Sequence, residues 1–218
     1  MTPTFLITYV VLHIMALVNG NSLPNNMTVL DMNLEQITCI DFDTLNQMKN
    51  LEKIKINRGN MPYFPDKDCS NPEHEEDTRE LNLPILKSLY LKRVNLLKAP
   101  NSSPMPKLEI FSLTRNSSRE IPGNQFKNNG NLKEIDVYDN SLTTAPNISD
   151  NSKKFDTLNL NRSQITLFPE DYFVGCNIRN VGVRVNRLTS FPNFDSLGDS
   201  VEEIIVVVII MWPSEKPS

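Results

Sequence analysis

An apolar pattern with a fixed internal phase recurs along most of this chain, and it constrains the fold more than any other feature. It is plainest in LKEIDVYDNSLTTAP, residues 132–146. Counting Leu132 as place one, Ile135, Val137 and Leu142 hold places four, six and eleven, with Asn140 at nine and Pro146 at fifteen. A helix would keep a period of 3.6 and a strand would alternate throughout, so neither element alone accounts for this spacing. The same template fits Leu51/Ile54/Ile56/Met61, Leu86/Leu89/Leu91/Leu96, Phe155/Leu158/Leu160/Ile165, Ile178/Val181/Val183/Leu188 and Val201/Ile204/Val206/Met211. Leu108, Phe111 and Leu113 fit it with Ser118 at place eleven, and Met27, Leu30, Met32 and Ile37 form a weaker opening unit. Unit starts at 27, 51, 86, 108, 132, 155, 178 and 201 give steps of 24, 35, 22, 24, 23, 23 and 23.

A second mark keeps the same phase. An apolar residue followed by proline fills places fourteen and fifteen of six units: Phe64-Pro65, Ala99-Pro100, Ile121-Pro122, Ala145-Pro146, Phe168-Pro169 and Phe191-Pro192. Places four and six therefore read as a short strand that sends two side chains into a core, place eleven as a return after a turn, and proline as the stop. A unit this small cannot bury its apolar face alone, so successive units must stack and share one core.

Residues 27–212 resemble the leucine-rich-repeat family, whose unit runs L-x-x-L-x-L-x-x-N-x-L. The resemblance, to the extracellular type with repeats of about 23 residues, implies an α/β solenoid. A parallel β-sheet would line its concave face, with irregular chain, turns and short helices on the convex side. It also implies that the place-nine amides bond main-chain groups in the turns, including those of the next coil, which would satisfy their buried polarity. Asn116, Asn140 and Asn186 keep that residue; Gly59, Val94, Ser163 and Ile209 do not, so some coils should be looser.

Around the repeats, residues 1–20 read as a signal peptide, with the apolar run FLITYVVLHIMALV and a cut after Gly20, although no Lys or Arg precedes the run. The repeat domain then occupies 21–212, with an insertion at 66–81, and 213–218 is a short polar tail. The insertion's acidic run Glu73 to Asp77 reads as a solvated loop; the other histidine, His13, belongs to the expected signal peptide, so His74 has no second histidine in the mature chain to make a metal site. Three cysteines are an odd number for an exported chain. Cys39 and Cys69 lie on either side of one repeat and could pair, leaving Cys176 as a buried thiol or an intermolecular bridge. The run IIVVVIIMW, 204–212, is too short to span a bilayer and ends the solenoid on an apolar edge, which could be the break point of a longer receptor, a dimer seam or an unusual cap on Trp212.

Catalytic patterns such as H-E-x-x-H, G-x-S-x-G or a P-loop are absent from the sequence, and no cofactor or metal is expected. With 26 acidic against 22 basic residues, a nucleic-acid partner is not expected either. Binding is the expectation, on the side chains of places three, five, seven and eight, which face away from the core. Lys53, Lys55, Arg58, Tyr90, Lys92, Arg93 and Arg115 form a basic patch, and Tyr138 follows in a unit turned acidic by Glu134, Asp136 and Asp139. Arginine and tyrosine are the residues that dominate interfaces, and a protein or glycan ligand would suit the patch. Five N-x-S/T sequons occur. Asn26, Asn101, Asn147 and Asn161 are expected to carry glycans, while Asn116 is committed to the core. The resemblance implies an extracellular binding role in recognition, adhesion or matrix assembly. The alternatives are a structural matrix component similar to the small leucine-rich proteoglycans and a truncated Toll-like receptor ectodomain. Membrane attachment is expected only for a fragment or an uncleaved N-terminus.

Overall fold

The computed structural model describes residues 26–33, 37–40, 42–64, 81–148, 154–195, 197 and 201–205. The proposed signal peptide, most of the insertion with Cys69 and His74, and the run after Ile205 lie outside the described residues.

Among the described residues eight strands make one sheet: β1 (Val29–Met32), β2 (Lys53–Asn57), β3 (Ser88–Lys92), β4 (Ile110–Ser112), β5 (Glu134–Asp136), β6 (Lys154–Asn159), β7 (Asn177–Gly182) and β8 (Glu203–Ile205). They lie in sequence order, and every neighbouring pair is parallel. The place-four residues stand abreast across the whole sheet, from Leu30 through Ile54, Leu89, Phe111, Ile135, Leu158 and Val181 to Ile204. This is a solenoid with one strand per unit, in the phase the sequence sets. A single six-residue helix, α1 (Phe42–Gln47), is present among the described residues, and the rest of the convex side is turns. Leu45 and Met48, on and just after α1, are buried against the first coils.

The template residues form the core. Leu86, Leu89, Leu91 and Leu96 are fully buried, as are Leu51, Ile54, Ile56 and Met61. The proline-side apolar places are buried at Phe64, Ala99, Ile121 and Phe168, but Phe191 is 67% exposed. Ile204 is 40% exposed despite its place-four position, because among the described residues no coil stacks beyond β8.

The inward amides stitch coils together in one direction. The Asn140 amide donates from Nδ2 to the carbonyls of Leu113 (2.7 Å) and Val137 (2.9 Å), while its Oδ1 accepts from the Ser118 N–H (3.2 Å). Asn186 repeats this with Leu160, Val183 and the Ile165 N–H, and Asn116 with Leu91, Val94 and Leu96. The partners thus belong to the asparagine's own coil and the preceding one, not to the next coil as the resemblance implies. Where Ser163 replaces asparagine, its buried hydroxyl has no partner, a local weakness of the kind the sequence anticipates.

Place eight turns the chain out of β2 to β7 in a left-handed conformation. Arg58, Arg93, Arg115, Asp139, Arg162 and Val185 all have φ between 53° and 68°. A non-glycine residue there costs roughly 1–2 kcal/mol. Because Asp139 and Val185 share it with the arginines, the strain belongs to the coil geometry, not to a role of arginine.

The strand-entry edge carries a feature the template does not include. Place two reads Glu52, Lys87, Glu109, Lys133, Asp156, Arg179 and Glu202, alternating in sign from coil to coil. Lys87 pairs with Glu52 (2.8 Å), Lys133 with Glu109 (2.7 Å), and Arg179 with both Asp156 (3.5 Å) and Glu202 (3.2 Å). Each pair is exposed and adds little stability alone; together they fix which edges may meet.

Cys39 is disulfide-bonded, and Cys176 is a buried free thiol whose pKa burial pushes up.

Candidate functional site

The alternation of the strands sends odd places to the concave face, and there a pocket of about 570 Å³ spans β2 to β6. Its volume falls in the range of small-ligand sites. Six of the eight residues expected to bind line it: Lys53, Lys55, Tyr90, Lys92, Arg115 and Tyr138. Arg58 and Arg93 lie at the left-handed turns and do not line it. Ile56, Asn57, Ser112, Thr114, Glu134, Asp136 and Asn159 complete the wall. The acidic residues are visible in the sequence as an interruption of the basic patch; their place in the same pocket is not, because it depends on how far the long side chains reach across strands.

Contacts on this face order it. Lys53 Nζ lies 5.4 Å from the centre of the Tyr90 ring, and the Arg115 and Arg162 guanidiniums flank Tyr138 at 6.0 and 5.7 Å. Such cation–π contacts are worth about 0.5–1 kcal/mol at exposed sites and hold both tyrosines in place. Lys55 pairs with Asp31 at 3.0 Å, a partner supplied by β1 and hidden in the sequence by the weakness of the opening unit. Arg115 also approaches Asp139, at 3.9 Å.

The acidic wall is electrostatically strained. Burial pushes the Asp136 carboxyl up to about 6; Glu134 adds to the shift, while the Tyr138 N–H, Asn159 and Lys92 oppose it. Burial, then Asp156, raises Glu134 as well. Burial, then Glu134, raises the Tyr90 hydroxyl. A carboxyl whose pKa is higher folded than unfolded binds protons more readily when folded. It costs nothing below its unfolded value, and its cost grows as pH rises through the window up to about 6. Asp136→Asn should therefore stabilise the fold at pH 7 by roughly 2 kcal/mol, and this gain should vanish near pH 4. Denaturant titration of both proteins at the two pH values measures it; an equal gain at both would show that ionisation is not the cause.

Asn161 lies beside the pocket. Its Oδ1 accepts from the Arg184 N–H at 2.6 Å, and its amide lies over Gly182, where a Cβ would come within 2.5 Å of Nδ2. Asn26, Asn101 and Asn147 are exposed. Among the described residues there is no cluster of metal-ligating side chains, and no helix is long and apolar enough to cross a membrane.

No protein-family model matches this chain, and no curated protein does. Solved structures do: 46 chains match, among them a leucine-rich-repeat protein of Leptospira interrogans. That protein superposes with a TM-score of 0.61 at 19% identity over 82% of this chain, which covers 42% of its length. The likeness is one of fold.

Proposed function

We propose that this chain, a leucine-rich-repeat solenoid, is a secreted or cell-surface protein that binds a protein or glycan ligand on its concave face and performs no catalysis. The pocket across β2 to β6 carries this reading: it gathers Lys53, Lys92 and Arg115 with Tyr90 and Tyr138, each tyrosine ring held beside a cation, on one face of the sheet. Solenoids of this fold are binding scaffolds, their concave sheets presenting one row of side chains per coil. Heparin serves as a polyanionic probe of the basic half. The full chain is expected to be retained at low salt, and Lys92→Glu plus Arg115→Glu should abolish retention. Retention unchanged in the double variant would move binding off this face, as a structural matrix role along the rod would require.

Export is tested by the sequons. Peptide mapping of material from a secreting host should find glycans at Asn101 and Asn147. Asn116, with Nδ2 donating to the Leu91 carbonyl at 2.8 Å, should be bare. Occupancy at Asn116 would break the amide's bonding pattern.

A further inference from the structure

The two walls of the concave pocket carry opposite charge. Lys53, Lys55 and Lys92 stand on β2 and β3 with Arg115 just past β4, whereas Glu134 and Asp136 stand on β5. Ser112 of β4 lies between them, and Tyr90 stands beside it on β3, in the strand that carries Lys92. Lys55 is already paired with Asp31 at 3.0 Å, whereas Lys92 is exposed on the open face and Arg115, also exposed, meets Asp139 at the longer distance of 3.9 Å.

We infer, resting on the concave-face reading, that the pocket selects an extended peptide segment carrying both an acidic and a basic side chain, the acid seated on Lys92 and Arg115 and the base against Glu134 and Asp136. Two considerations favour this ligand over a long polyanion. A sulfated chain running across the strands would leave the lysine wall and meet Glu134 and Asp136, and like charges opposed at an interface are costly. A peptide with both charges meets a complement at each wall. The spacing also fits: β3 to β5 is two strand intervals, about 10 Å, the length of about three residues of extended chain. Tyr90, on β3 beside Ser112, supplies a flat, rigid surface next to the acid's seat. A cation against Asp136 would favour the ionised carboxylate, so binding should strengthen as pH rises through about 6.

Selection of a random dodecapeptide library displayed on phage against the full chain tests this. Enriched peptides should combine an acid and a base about three residues apart. Their affinity should fall about tenfold both in Lys92→Glu plus Arg115→Glu and in the milder Glu134→Gln plus Asp136→Asn, with circular dichroism unchanged. Peptides of one sign only, or peptides indifferent to the acidic-wall variant, would overturn the two-charge inference while leaving the concave site standing. A heparin hexasaccharide that binds when no peptide is enriched, and that loses affinity in the basic-wall variant, would do the same and assign the face to a glycan. Probes that bind every variant as they bind the parent would sink both this inference and the concave-face reading.

Discussion

Replacing Asn140 by alanine is expected to destabilise the chain by about 3 kcal/mol. The substitution removes two donated bonds, at 2.7 and 2.9 Å, and one accepted at 3.2 Å. It leaves the carbonyls of Leu113 and Val137 and the N–H of Ser118 to find partners in a region where Asn140 and Ser118 are themselves buried. An unmet buried polar group costs about 1–3 kcal/mol, and partial relaxation brings the sum down. Aspartate is the sharper probe, since its shape keeps the acceptor for Ser118 but turns a charge toward two carbonyl oxygens. Asn140→Asp should be less stable than alanine at neutral pH and recover in acid, as its carboxyl protonates and regains a donor. Guanidinium titration measures both, and hydrogen exchange should show the loss concentrated in the coils that start at Leu108 and Leu132, because a solenoid's coils are coupled only to their neighbours. Uniform loosening along the rod would contradict that coupling.

Phe173→Ala should cost still more, about 4 kcal/mol. Phe173 is fully buried on the convex side, with ring centres at 4.8 Å from Tyr172, 5.1 Å from Phe194 and 5.9 Å from Phe168. The cluster bridges the coils that start at Phe155 and Ile178, and Tyr172 fixes it to the preceding coil by donating its hydroxyl to the Pro146 carbonyl at 2.7 Å. Phe173→Leu keeps most of the volume and should lose only about 1 kcal/mol, chiefly the ring contacts. Thermal denaturation of the two variants separates volume from ring geometry. Equal losses would mean that edge-to-face stacking, not filling, holds this side together.

The difference between Asn140 and Phe173 marks what the amino-acid order discloses. Asn140 sits at a numbered place in a pattern that is in phase in every strand-bearing unit, because the strand, the turn and the inward amide are set by backbone spacing common to all coils. Phe173 lies where units differ in length and turn type. The Gln125, Phe126 and Asn129 turn has a different solution, with Asn129 donating to the carbonyls of Ser102 and Met105 at 2.9 and 2.8 Å. No shared offset announces either packing. The concave face was legible as a list of outward side chains, so Lys53, Tyr90 and Tyr138 could be named. Glu134 and Asp136 stand in the same list as a change of sign; that they share one pocket with Lys92 does not show there, since the two walls are two strands apart, a distance that exists only once the coils are stacked. Asp31 is hidden for a simpler reason: the opening unit matches the template weakly, so its outward side chains carry no clear register.

The alternation of charge along the strand-entry edge sets a rule of parity. Excise the coil holding Lys87, and Glu52 would face Glu109 across the new seam; excise the coils of Lys87 and Glu109 together, and Glu52 would meet Lys133. Shortening or lengthening by one coil therefore introduces a mismatch, whereas shortening or lengthening by two does not. The tolerated quantum of growth for this rod is a couplet of coils, roughly 46 residues by the repeat lengths of the later units.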